Sequence, residues 1–100
     1  MVEKPYADTW LDEITFLRNF KYADKEKFIW HQDLHDRIIR VVHANKCFFQ
    51  FDNQTPFQIK DGDIIEVPKN QIHRLILVKG CLLLKISEIR DYETEIREKF

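Results

Sequence analysis

Four histidines, two cysteines and a mixed set of charged side chains are the residues through which this chain can do chemistry. His73 is the best placed of them. It closes the run Gly62-Asp63-Ile64-Ile65-Glu66-Val67-Pro68-Lys69-Asn70-Gln71-Ile72-His73. Gly62 permits a tight turn into a strand, and Pro68 ends that strand because it cannot donate to a ladder. Asn70 tolerates the left-handed conformation of a sharp turn. His73 then opens the next strand on the face of Leu75 and Leu77, so its imidazole should point inward. A histidine on an apolar strand face ordinarily serves packing, but its neutral ring can also be a metal ligand. His31 and His35 lie with Asp33 and Asp36 in the polar stretch Trp30-His31-Gln32-Asp33-Leu34-His35-Asp36, a composition that usually marks a surface loop. His43 adjoins an expected turn and is given no role, and Asp61 and Asp63 read as turn formers. Cys47 and Cys81 are too far apart for a zinc-site or redox-pair spacing. No phosphate loop, cofactor fingerprint or nucleophile–base arrangement is present.

The elements that must position these residues read as short strands. Apolar or alternating runs fall at 28–31, 37–43, 46–51, 57–59, 64–67, 72–78 and 81–86. Ile39 and Val41 share one face with Arg40 on the other, and Cys47, Phe49 and Phe51 share a face. Tight turns are expected at 44–46 and 79–80, a polar loop at 52–56, and a turn at 61–63. About seven closely spaced strands without intervening helices argue for a sandwich or small barrel. The N-terminal part is ambiguous. Trp10, Ile14 and Leu17 have helical spacing, and Thr9 with Asp12 resembles a capping pair, while Ile14, Phe16, Phe20 and Tyr22 also fit alternation. We read a short helix or turn near 8–13 and then an extended stretch. At the other end, Ile89, Tyr92, Ile96 and Phe100 mark one helical face, with Glu93–Arg97 and Glu95–Lys99 four apart, so a short amphipathic helix is expected at 88–99.

Composition narrows the class. One hundred residues suffice for a single domain with one modest core, and 44% apolar residues, eight of them Phe, argue against disorder. Sixteen basic and seventeen acidic residues are intermixed, leaving a net charge of -1 and no basic stripe for nucleic acid. No apolar run is long enough to span a membrane, and the first residues have no apolar signal region. A cytoplasmic protein with two reduced, buried thiols is expected. Phe48, Phe49, Phe51 and Phe57 read as core or dimer interface.

The run from Gly62 resembles the second motif of the cupin family, which has Gly, five residues, Pro, one residue, Gly, two residues, His, three residues and Asn. Gly62, Pro68 and His73 match at those spacings. Asn70 stands where the family has Gly and Leu77 where it has Asn. The first motif, His-x-His, three or four residues, Glu, six residues and Gly, is degenerate here. With Ala44 at its final Gly, His31 takes the first His position, Asp33 the second and Arg37 the Glu position. Seventeen residues then separate Ala44 from Gly62, a gap typical of a compact cupin. The chain is similar to a small single-domain cupin of the conserved-barrel cupin 2 type, with the likeness covering 28–87.

The resemblance implies an all-β, cupin-type jelly-roll barrel across residues 1–100, with its core at about 27–87 and short terminal helical segments. It also implies a metal site in the barrel mouth built from His31, Asp33 and His73. Two histidines and one carboxylate can hold iron, manganese, nickel or zinc with open positions. His35 or Asp36 would supply a fourth ligand if the loop shifted register. Arg37 faces inward by strand parity and would repel a bound cation. It would instead pair with Asp33 or, with His35, hold an anionic small-molecule ligand. Three functions follow as expectations. The first is a metal-dependent enzyme acting on a small molecule, an isomerase or dioxygenase for example. The second is a metal-free binding module for a small anionic or sugar-like ligand. The third is a dimerisation domain, since small cupins commonly pair as homodimers.

Overall fold

The computed structural model describes residues 6–20 and 29–90. Among the described residues there are six strands and no helix. They are β1 (Tyr6–Trp10), β2 (Thr15–Phe20), β3 (Asp36–Phe51), β4 (Phe57–Ile59), β5 (Ile64–Val67) and β6 (His73–Ile89). All pairings are antiparallel.

The N-terminal helix or turn expected at 8–13 is a β-hairpin instead. Tyr6–Trp10 pairs with Thr15–Phe20, and Asp12 supports the reversal, its Oδ1 accepting N–H groups from Ile14 (2.9 Å) and Thr15 (2.8 Å). The expected Thr9–Asp12 capping pair does not form: Thr9 lies in β1 and Asp12 bonds forward, to Ile14 and Thr15, because an Asp that closes a turn and one that caps a helix look alike in sequence. At the other end, Glu88 and Ile89 continue β6 rather than starting a helix. Arg90 is in neither helix nor strand, and the rest of the expected C-terminal helix, from 91, lies outside the described residues, as does Phe28 of the expected strand 28–31. Ile29 and Trp30 are not in a strand, and His31 forms an isolated bridge with His73.

The tight turns expected at 44–46 and 79–80 are bends in two long paired strands. β3 and β6 run side by side for most of their length, with register shifts between Val41 and Cys47. Gly80 lies opposite, in the left-handed region at φ 80°. A Cβ there would collide with the Asn45 side chain, whose Oδ1 accepts the Cys81 N–H at 3.0 Å. Asn and Gly are turn formers, but here each flanking run finds its partner on the other long strand, so the chain kinks and continues. The kink also changes parity along β6. His73, Leu75 and Leu77 face inward before it, and Leu82, Leu84, Ile86 and Glu88 after it.

The bends divide the sheet into two leaves. One contains β1, β2, the second half of β6, the first half of β3, and β5; the other contains the first half of β6, the second half of β3, and β4. One apolar cluster joins them, from Phe16, Ile39, Val41 and Leu84 on the first leaf to Cys47, Phe49, Ile59 and Leu77 on the second. Near the bends the inward side chains are apolar. Towards the open end they become ionisable: Val41, Ile39, Arg37 along β3; Leu84, Ile86, Glu88 and Leu77, Leu75, His73 along β6.

Both cysteines are free, but only Cys47 is buried. Burial pushes its thiol up to about 12. Cys81 is exposed beside the bend, against the expectation of two buried thiols, because the parity change turns it outward.

Candidate metal centre

The turn from Gly62 to His73 has the geometry its residues allow. Gly62 (φ 87°) and Asn70 (φ 63°) are both left-handed. Gly62 N–H is bonded to Val41 O (2.7 Å), which fixes the start of the segment against β3. Its end is fastened to the polar loop. His31 and His73 exchange two backbone hydrogen bonds (3.0 and 2.9 Å), and Asn70 N–H donates to Asp33 O (2.8 Å). Asp36 Oδ1 accepts the Lys69 N–H. Asp36 is therefore a fastener of the turn.

This clasp brings His31, Asp33 and His73 together, with ligating atoms all within 4.8 Å of one another. His73 is 3% exposed and stacks on Phe49 with ring centroids 5.4 Å apart. Its Nδ1 lies 2.7 Å from Gln71 O, and His31 Nδ1 lies 3.2 Å from Ile29 O. A carbonyl only accepts, so each Nδ1 carries the proton, and in the neutral ring Nε2 is left as a lone pair. Fixing the far nitrogen on a carbonyl is how ligand histidines are commonly oriented.

Asp33 completes the group. Its Oδ1 is 3.0 Å from Arg37 Nη1, and its Oδ2 is 3.3 Å from His73 Nε2. Oδ2 is buried and makes no aligned hydrogen bond. A lone pair on Nε2 facing a carboxylate oxygen is unfavourable unless a cation, either a proton on the ring or a metal ion, reconciles them. Burial works to raise the Asp33 carboxyl, but the close approach of His73 Nε2 and the positive charge of Arg37, with that of His73 and His31 when protonated, outweigh it and hold the group below the usual carboxylate value. His31 is exposed at the rim of the site; its partial desolvation lowers the imidazole, helped by His73 and Arg37, against the Ile29 carbonyl and Asp33, which raise it. Both effects favour the states a metal needs, an ionised carboxylate and a neutral imidazole. The donor set and the orphaned Oδ2 fit a divalent metal ion.

Arg37 faces inward, as strand parity implied. It pairs with Asp33 and, more loosely, with Glu88 (Nη2–Oε2 3.7 Å), and lies over the Phe16 ring at 5.6 Å. Its buried Nε has no acceptor. His35 is half-buried and supplies no atom to the cluster. Glu88 is the residue that the sequence reading missed, having been assigned to a helix. The alternation Leu82, Leu84, Ile86, carried two residues further, would have placed it inward.

No protein-family model matches the chain, and no curated protein matches it. Solved structures do match. A structure of the DMSP lyase DddQ from Ruegeria pomeroyi DSS-3 superposes with a TM-score of 0.73 at 14% identity, over 89% of this chain and 49% of that one. The cobalt(II) form of HppE in complex with Tris gives 0.71 at 11% identity, over 89% and 56%. A cupin-2 domain protein from Shewanella frigidimarina gives 0.63 at 16% identity, over 84% and 79%. The chain spans 37% of a chain in a further DMSP lyase structure and 41% of iron(II) HppE. The fold is thus the all-β cupin fold, in a β-barrel form.

Proposed function

We propose that this chain binds one divalent transition-metal ion through His31 Nε2, the Asp33 carboxylate and His73 Nε2, and presents it to a small molecule at the open end of the barrel. The observation that carries this reading is the buried, unbonded Asp33 Oδ2 beside His73 Nε2. Solved structures of the same fold include HppE with iron(II) and with cobalt(II), which supports it. Two nitrogens and one carboxylate suit iron, manganese, nickel or zinc. When bound, such an ion supplies Lewis-acid polarisation of a carbonyl or enediol oxygen. The protein's own part is positional. Gln71 and Ile29 carbonyls orient the rings, Phe49 braces His73, and Arg37 anchors Asp33 Oδ1.

Elemental analysis tests the proposal directly. Purified protein incubated with iron(II), manganese, nickel or zinc should retain about one equivalent, and His73→Ala should lose it. Retention below about 0.1 equivalent of every ion would sink the reading.

The short Asp33–Arg37 pair favours one alternative, a metal-free module in which Arg37, with His35 nearby, holds a small anionic or sugar-like ligand. Under that reading Arg37→Ala abolishes the thermal shift given by a screened anion, and an undiminished shift removes it.

A further inference from the structure

Glu88 is one of three buried polar residues among those described, with Thr15 and His73. It sits directly across from Arg37 in the β3–β6 ladder, and its backbone N–H is fixed to Ile14 O at 2.8 Å. Its carboxylate lies between two guanidiniums, Arg37 (3.7 Å) and Arg90 (3.8 Å). Arg37 in turn holds Asp33 Oδ1, and Asp33 Oδ2 faces His73. The charges form a line, Arg90–Glu88–Arg37–Asp33–His73, in which each acid has a base on either side.

We propose that Glu88 is a positioning residue for the metal centre, acting through Arg37. This rests on the metal reading above. A lone guanidinium within bonding distance of a ligand carboxylate opposes a divalent cation by like charge, and draws Asp33 into a closed ion pair. Glu88 counters both effects. It balances the Arg37 charge, and it pulls Nη2 towards β6 while Nη1 keeps Asp33 Oδ1. Asp33 Oδ2 is then left for the ion. Arg37 and Glu88 face each other across the β3–β6 ladder, so the neighbouring strand supplies the negative charge that offsets the guanidinium.

The test is a double-mutant cycle on cobalt(II) affinity, measured by titration calorimetry, with the cobalt d–d spectrum as a second readout. Circular dichroism of each metal-free variant establishes that it is folded. Glu88→Gln should weaken cobalt(II) binding by about tenfold, as removal of outer-shell partners does. Its spectrum should match the wild type, because the ligand atoms are unchanged. In an Arg37→Gln background the same substitution should cost less than about twofold, because the charge it compensates is gone. Glu88→Asp, which keeps the charge at longer reach, should fall between wild type and Glu88→Gln.

Equal losses in both backgrounds, or no loss in either, overturn the role of Glu88, and a shifted spectrum in Glu88→Gln does so by making Glu88 itself a ligand. If Glu88→Gln does not fold, Glu88→Asp carries the test, and wild-type affinity in that variant overturns the proposal. Failure of the wild type to take up cobalt(II) at all sinks the metal reading itself, a different result from uptake that ignores Glu88.

Discussion

Asp33 makes contact with two cationic or potentially cationic side chains through its two oxygens, and this sets the acid sensitivity of the metal-free protein. Its carboxyl is held below the usual value and His31 is also lowered. In both cases the folded chain binds fewer protons than the unfolded chain at the same pH, so stability falls as pH falls. The His31 contribution is fully present above the unfolded histidine value of about 6.5 and fades as pH drops through its lower folded value. The Asp33 contribution is present above about 3.9 and is lost only below it, through its own depressed value. Thermal midpoints measured from pH 8 down to 3 should therefore decline in two stages. His31→Asn should remove the upper stage and Asp33→Asn the lower; a midpoint that is flat in the wild type from about 6.5 to 3.9 would contradict the His31 assignment. At this scale the sequence was informative where chemistry is local. Gly62, Pro68 and Asn70 announce a turn through their own backbone preferences, and His73 follows from counting. Asp33 and Arg37 became legible through strand parity and motif register. Glu88 was not legible as a site residue, because its meaning depends on a partner in a distant strand.

At the scale of elements, the kink at Asn45 and Gly80 is where sequence reading and structure diverge most. Asn45 and Gly80 both mark points of irregular backbone by residue type alone. The choice between a reversal and a bulge is made by which strands find each other across the sheet, and no local pattern records that. The two glycines should respond differently to substitution. Gly62 has positive φ but nothing within 4 Å of an added Cβ, whereas at Gly80 the Cβ meets Asn45. Gly62→Ala should cost about 1–2 kcal/mol from left-handed strain alone. Gly80→Ala should cost more, about 2–4 kcal/mol, because the Asn45 side chain must also leave its bond to Cys81 N–H. Urea denaturation of the two variants checks this, and equal losses would show that the contact with Asn45 carries nothing. β1 was illegible for a related reason. It is an edge strand with four of its five residues exposed, so burial left no alternating signature in it.

For the whole molecule, the division of labour between the two ends of the barrel is the main finding. Apolar residues at the bent end hold the leaves together, and the open end carries the ionisable set. Ile38, Val42 and Ile64 meanwhile point out from the first leaf and remain exposed. We expect two copies to associate. Light scattering at high micromolar protein should give twice the chain mass, and a single-chain mass would remove that expectation. The bulge at Gly80 bears on the open end as well. A strand has a reading frame of two, and the extra residue at the bulge acts on β6 as a frameshift does on a message. Every side chain downstream is reassigned between inside and outside, so that Glu88 reaches Arg37 while Ile89 faces water. A related chain that had lost one residue at this point would keep its core composition almost intact and still turn residue 88 outward. The charge balance around Asp33 is thus set by a backbone irregularity far along the strand, at the opposite end of the barrel.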